Sequence, residues 1–368
     1  VSRADMLSEL MKNKKCIAIA GSHGKTTTTS LVGNILESGK LDPTIVNGGI
    51  INSLSKNNKF GKGKWMVVEA DESDGSFLKL PHEISIITNL DIEHLDYYKT
   101  TKKLYSSFEK FIMKLPFYGT SIVNEDDINL KKIIQKNDTR RIITFSIKNK
   151  KSNVFVDKIH FDNQYSYFTL NFRFFDDKLS KSYSYKLKAI GLHNVYNGTA
   201  SIIAGHLVGV KNSFIKDALK NYIGVKRRFT YLGKVNSADI YDDYAHHPTE
   251  IAATLLGAKQ IQKNIIVVFQ PHRYSRTKVL FEDFIKTLSK INKLYLLDTY
   301  SAGERVLRGY ETKNIFNKLK KKNSKVEYTS NKNLNSKIYN ETKKNNIIIF
   351  MGAGSISKIA HNFIKINA

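Results

Sequence analysis

The sequence predicts an α/β protein: a central P-loop domain on a parallel sheet with an antiparallel meander, then a Rossmann-like C-terminal α/β domain. Three observations predict it. Short apolar runs alternate with helical patterns along most of the 368 residues, the order that makes a parallel sheet covered by helices. The first apolar run breaks into a glycine loop ending Gly24-Lys25-Thr26 and leads into a helix. From Val154 to Ile190 the pattern changes to period-two alternation, which marks antiparallel strands.

Cys16–Ala20 reads as the first strand, apolar and buried. The loop Gly21-Ser22-His23-Gly24 follows, then a helix with Leu31, Val32, Ile35 and Leu36 on one face. Further strands are expected near Met66–Val68, Ile84–Thr88 and Ser121–Asn124. The meander carries turn signals at Asp162-Asn163 and Asp176-Asp177. Gly191 to Val208 returns to a helix, opened by Asn194 and Asn197. The short link Gly224-Val225-Lys226 sets a boundary, giving domains 1–225 and 226–368. Beyond it, strands near Ala238–Tyr241, Ile265–Phe269, Leu294–Leu297 and Ile347–Met351 alternate with helices. The Lys/Asn-rich stretch Lys318 to Asn335 reads as surface helix and loop.

Composition narrows the function classes. Apolar content of 41% and charged content of 25% fit a globular protein with cores of its own. The longest apolar runs, such as Ile265–Phe269, are too short to span a bilayer, and no stretch reads as a signal peptide. One cysteine, Cys16, excludes an intrachain disulfide and fits a reducing cytoplasm; inside a strand it reads as a buried structural thiol. A net charge of +26 invites a nucleic-acid partner. The lysines are spread over most segments, and the dense stretches Lys148–Lys151 and Lys318–Lys322 carry no interleaved aromatics. Solvated lysine faces are therefore expected, with no nucleic-acid or membrane partner and a field that favours anionic substrates.

The run Gly21-Ser22-His23-Gly24-Lys25-Thr26-Thr27 has the chemistry of a phosphate cradle. Backbone N–H groups and a helix N-terminus face the anion, the lysine reaches the outer phosphates, and a threonine hydroxyl is placed to ligate Mg²⁺. The loop is more compact than the common G-x-x-x-x-G-K-[ST] form, which would need glycine where Ile19 stands. Glu69-Ala-Asp-Glu-Ser-Asp74 follows the strand Trp65–Val68, and acids there suit the oxygen shell of Mg²⁺. His94 lies past the strand Ile84–Thr88. In the second domain, Arg273 and Arg276, spaced i, i+3, are expected on one helix face, and Tyr244, His246 and His247 end another strand. Two guanidinium groups can hold a carboxylate or phosphate bidentately. Gly352-Ala-Gly354-Ser355 reads as a close-packed glycine turn.

The compact loop with its histidine resembles the Mur ligases, which build the peptide of bacterial peptidoglycan. The likeness runs in order along the chain. It includes Asp42-Pro-Thr, Val46-Asn-Gly-Gly49, Glu69 to Asp74, Thr88-Asn89 with Glu93-His94, and Leu115-Pro-Phe-Tyr-Gly119. It continues through Gly191-Leu-His-Asn194, Arg227-Arg-Phe229, Asp242 to Glu250 and Gln270 to Thr277. Within the family it points to the branch that joins L-alanine to UDP-N-acetylmuramate. The family's N-terminal module for the uridine diphosphate sugar has no counterpart here. With valine as first residue, a fragment or incomplete gene model is expected, one that binds MgATP but ligates poorly.

The resemblance implies ATP and Mg²⁺ as cofactors. It implies Lys25, Glu69 and His94 as catalytic residues, with Thr26 and Glu69 on a first metal and His94 on a second. Asp71, Glu72 and Asp74 stay open between supporting and solvated acids, and Asn194 between facing the nucleotide base and capping its helix. Arg228 and Asp243 are implied at the nucleotide, and Tyr244, His246, His272, Arg273 and Arg276 around the amino acid and acyl phosphate. Capping and ion-pair roles remain open for each of these. The second domain is implied to close over nucleotide and amino acid, in a monomer or weak homodimer. Other readings are a recycling ligase that adds an intact peptide to the same sugar nucleotide, a folate polyglutamate ligase, and a nucleic-acid-dependent NTPase.

Overall fold

The strand that leads into the glycine loop, β1 (Lys15–Ala20), is buried from Cys16 onward. Its side chains alternate between two cores: Ile17 and Ile19 join Leu31, Val32 and Ile35 on one face, and Cys16, Ala18 and Ala20 meet Phe77, Phe108 and Phe111 on the other. Small residues on one side admit large rings opposite, which is how a close-packed interior is filled. Burial pushes the Cys16 thiol up to about 12, so it is a neutral packing group. The computed structural model describes residues 1–367 apart from 136–140, 163, 174–180, 261–263 and 323–324. Of the expected turn residues, Asn163 and Asp176-Asp177 lie outside the described residues.

The chain divides into two compact units, Val1–Lys226 and Arg227–Ala368. In the first, β2 (Thr44–Ile51), β3 (Lys56–Lys59), β4 (Trp65–Glu69), β5 (Ile84–Ile87), β6 (Thr120–Asn124), β7 (Ile142–Ser146), β8 (Val154–Asp162), β9 (Tyr165–Phe172) and β10 (Lys181–Leu187) join β1. Together they form one sheet, in the order β10-β9-β8-β7-β6-β5-β1-β4-β2-β3. The centre is parallel, while β8, β9 and β10 form the antiparallel meander at one edge. At β1 the order switches, with β4 on one side and β5 on the other. A crevice opens at the carboxyl end of such a switch point, where open α/β sheets bind ligands.

Three strands of this unit lie outside those expected from the sequence. β2 contains Asn47-Gly48-Gly49, β3 is Lys-Asn-Asn-Lys, and β7 is a short apolar run. Pairing partners, not propensities, make β2 and β3 strands, whereas the Ile-Ile-Thr-Phe run of β7 is itself strand-favouring.

The second unit has β11 (Thr230–Val235), β12 (Ala238–Asp243), β13 (Asn264–Phe269), β14 (Lys293–Leu296), β15 (Val326–Tyr328) and β16 (Asn346–Met351). Their order is β11-β12-β16-β13-β14-β15, parallel except for β11. Apolar clusters cover both faces. Two expectations are corrected. Within Lys318 to Asn335 the chain forms a strand, β15, besides helix and loop; its three residues pair with β14 and bury only Val326, too little to mark a sequence. Arg273 and Arg276 do not share a helix. Arg273 has φ 69° and caps the helix Tyr274–Val279, whereas Arg276 lies inside it. No helix among the described residues is long and apolar enough to cross a membrane.

Candidate functional site

The phosphate loop is fastened to the end of β5. Gly21 has φ 130°, and a Cβ there would lie 2.2 Å from Thr88 Oγ1. Gly24 has φ 82°, and its Cβ would lie 2.5 Å from Asn197 Oδ1. Both the backbone conformation and the close approach therefore demand glycine. Asn89 brackets His23, accepting from its backbone N–H at 2.8 Å and donating to its carbonyl at 3.0 Å. Thr88 Oγ1 donates to the same carbonyl at 2.6 Å. The His23 ring meets Asp91 at 2.8 Å, and Ser22 Oγ accepts from Asp91 N–H at 2.8 Å. Thr26 and Thr27 are buried in the first turn of the helix Lys25–Ser38.

Lys25 and Thr26 each meet an acid from the segment after β4. Thr26 Oγ1 donates to Glu69 at 3.1 Å, and the other Glu69 oxygen accepts from Gly48 N–H at 2.7 Å. Lys25 Nζ lies 2.9 Å from the carboxylate of Glu72, which is 1% exposed. Burial alone would lower the Lys25 pKa, but the Glu72 charge and hydrogen bond, with Glu69 and Asp71 nearby, outweigh it and raise it. The lysine is a fixed cation. Asp71 and Asp74 turn back to their own loop, accepting from Ser73 N–H at 3.0 Å and Ser76 N–H at 2.9 Å.

His94 has φ 57° and stands before the short helix Leu95–Tyr98. Its Nε2 lies 3.9 Å from Glu72 and 4.0 Å from Glu93. Ligating atoms of Glu72, Glu93 and His94 all fall within 4.8 Å of one another, and Thr26 with Glu69 makes a second group of hard oxygens. These donors fit a small divalent cation, the oxygens better than the imidazole. Glu93 is part of the resemblance beside His94, but no role was expected of it. Asn194 lies inside the helix Leu192–Leu207, which Gly191 caps. Its amide donates back to Ile190 O at 2.8 Å, and its carbonyl accepts from Asn197 at 3.4 Å.

In the second unit the polar residues form a continuous run. The Arg228 guanidinium sits 5.3 Å from the Tyr244 ring centre, Tyr244 meets His246 edge-on at 5.2 Å, and His246 faces His272 at 5.8 Å. Arg276 reaches the His272 ring at 3.3 Å. Burial pushes both imidazoles down to about 4, so at neutral pH the arginines carry the positive charge of this run. His247 caps the helix Pro248–Ala258 in a capping box with Glu250, and Glu250 lies 3.5 Å from Arg228. Asp243 lies beneath: its carboxylate accepts from Phe229 N–H at 2.8 Å and Ala245 N–H at 2.6 Å. Burial nonetheless pushes its pKa up to about 6. Gly354 is a packing glycine, since a Cβ would lie 2.6 Å from the Tyr300 ring.

Comparison with known proteins agrees along the chain. The Mur ligase middle domain model matches residues 19–205, and the model described as Mur ligase, glutamate ligase domain matches 227–354. A UDP-N-acetylmuramate–L-alanine ligase of Hydrogenobaculum sp. (strain Y04AAS1) is 42% identical over 372 residues, covering 99% of this chain and 79% of the relative. The enzyme of that name from Agrobacterium fabrum is 39% identical, covering 98% of this chain and 77% of its own. The crystal structure of the UDP-N-acetylmuramate-alanine ligase of Thermotoga maritima superposes with a TM-score of 0.80 at 27% identity, over 98% of this chain and 77% of that one. A murein peptide ligase from Psychrobacter arcticus has the same fold, with a TM-score of 0.69 at 22% identity. Matched by both domain models and by relatives near 40% identical over almost its whole length, this chain belongs to the Mur ligase family.

Proposed function

We propose that this chain carries out ATP-dependent joining of L-alanine to the lactyl carboxylate of UDP-N-acetylmuramate, a step of peptidoglycan synthesis. One observation carries the reading. The glycine loop at the sheet's switch point holds a charged lysine and a threonine against two acids, in a chain about 40% identical to ligases of that name.

The chemistry follows from the groups. A carboxylate is a poor acylating agent, so its oxygen first attacks the γ-phosphorus, and the bond to the β-phosphate oxygen breaks to release ADP. The alanine amine then attacks the acyl carbon. The tetrahedral intermediate expels phosphate, and the ammonium proton passes to solvent. Lys25 and the loop N–H groups hold charge on the transferring phosphoryl group. Mg²⁺ would be held by Thr26 and Glu69, and a second ion beside His94, and would neutralise phosphate charge. Tyr244, His246, His272, Arg273 and Arg276, with Arg228, offer the positive, partly apolar surface that a carboxylate-bearing amino acid needs.

The test measures phosphate release and product formation by the purified protein with ATP, the sugar nucleotide and L-alanine. Lys25→Ala is expected to cut turnover ~10³-fold, about 4 kcal/mol, and also to lower the stability of the first unit, because it leaves the buried Glu72 carboxylate without its counter-ion. Turnover that prefers an intact peptide to L-alanine would move the assignment to a recycling ligase. Turnover that follows DNA or RNA instead of the amino acid would overturn it.

A further inference from the structure

Lys25 has three N–H donors, and each faces an acceptor within the protein. Its Nζ donates to Gly21 O at 2.6 Å, Ser22 O at 3.2 Å and Glu72 at 2.9 Å. The acid is fixed from its own side. Glu72 is 1% exposed, and the Tyr98 hydroxyl donates to its backbone carbonyl at 2.5 Å. Asp71 and Asp74, its neighbours in sequence, turn away into local loop bonds. A phosphate that takes Lys25 must therefore displace one of these acceptors, and the only charged one is Glu72.

We propose that Glu72 is a positioning residue and resting counter-ion that competes with the outer phosphates of the nucleotide for Lys25. The loop is then biased against polyanions for as long as Glu72 carries its charge beside Lys25. This rests on the reading of the loop as a nucleotide site. Of the groups beside it, the Glu72 carboxylate lies nearer Lys25 (2.9 Å) than His94 (3.9 Å), so it acts through the lysine and not as a ligand of the cation, whereas Glu69 lies against Thr26 and Gly48.

The test is a double-mutant cycle of nucleotide affinity, read by calorimetry with the non-hydrolysable ATP analogue AMP-PNP. Wild type, Glu72→Gln, Lys25→Met and the double variant are titrated in EDTA, and wild type and Lys25→Met again with Mg²⁺. Glutamine keeps the shape of the side chain and removes its charge. Expected without the cation is ~10-fold tighter binding by Glu72→Gln than by wild type, a coupling of ordinary size for groups in contact. The gain is expected to fall below about threefold in the Lys25→Met background. An equal gain in both backgrounds would mean that Glu72 acts on the phosphates directly, and it overturns the proposal. So does unchanged or weaker binding by Glu72→Gln. Should that variant fail to fold, Glu72→Asp draws the charge back by one methylene and is expected to tighten binding by a smaller factor; unchanged affinity again overturns the proposal. If wild type and Lys25→Met bind the analogue equally with Mg²⁺, the nucleotide-site reading itself fails. If Lys25→Met loses that binding while Glu72→Gln gains none in EDTA, only the role of Glu72 fails.

Discussion

Burial acts on Cys16 and His82 in opposite directions for one reason, the cost of a charge away from water. It pushes the thiol up to about 12 and the imidazole down to about 4. His82 is 4% exposed, with its ring centre 4.3 Å from that of Phe111. Its Nδ1 lies 3.0 Å from Leu80 O, so that nitrogen carries the hydrogen. The folded pKa lies below the unfolded value near 6.5. The neutral ring therefore costs nothing extra above pH 6.5, and stability is lost as pH falls toward 4, where the unfolded chain binds a proton first. The loss amounts to about 3 kcal/mol. In denaturant unfolding of wild type against His82→Phe, the stability difference is expected to shift by about that much between pH 7 and 4 in favour of the variant. Parallel pH profiles would remove His82 as the source.

Among the elements, the junction of β1 with the end of β5 decides whether the loop can form. Ala20 O accepts from Thr88 N–H at 3.1 Å, Asn89 O accepts from Ser22 N–H at 3.2 Å, and Gly21 sits between the two strand ends. A methyl at Gly21 would collide with Thr88 Oγ1 at 2.2 Å and Asn89 O at 2.9 Å. Backbone cannot rotate away as a flexible side chain can, so β1 and β5 must separate at their carboxyl ends. Gly21→Ala is expected to cost roughly 1–3 kcal/mol. It should also weaken AMP-PNP binding by ten-fold or more (~1.4 kcal/mol), because the N–H groups that face the phosphates move with the loop. Calorimetry and thermal unfolding on the same variant separate these two effects. An unchanged affinity would show that the loop tolerates the displacement.

At the scale of the whole molecule, each unit owns its cores. Phe108 belongs to a cluster of the first unit and Phe284 to one of the second. The only tryptophan, Trp65, stands at the start of β4 and packs against a core of the first unit. Its fluorescence therefore reports on that unit, whereas far-UV circular dichroism reports on both. Phe108→Ala is expected to move the fluorescence transition by about 3–5 kcal/mol. Phe284→Ala should move a circular-dichroism transition and leave the fluorescence one near its place. Fluorescence that shifts equally in both variants would show that the two units unfold as one. The +26 net charge is a property of the same scale: it sets a positive field for anionic substrates and does not select the fold.

Some of this was readable in the amino-acid order and some was not. β1, β4, β5, β6, β13 and β16 are apolar runs because a parallel strand is covered on both faces, and the meander shows itself by alternation in β8 and β9. The loop Gly21 to Thr26 was equally plain, since its glycines, lysine and threonines answer a local need for backbone freedom, charge and oxygen. β2, β3, β11 and β15 were not readable, because a strand with glycine, lysine or three residues exists only by pairing with a neighbour distant in sequence. The same holds at the site. Asp71, Glu72 and Asp74 are three similar acids in one short stretch, and nothing local ranks them. Only the folded chain buries Glu72 against Lys25 while leaving the other two to their own turns. Chemical type is written residue by residue, so the sequence by itself determined the family and the phosphate loop. Which acid serves the lysine depends on burial and distance, which exist only once β1, β4 and β5 lie side by side.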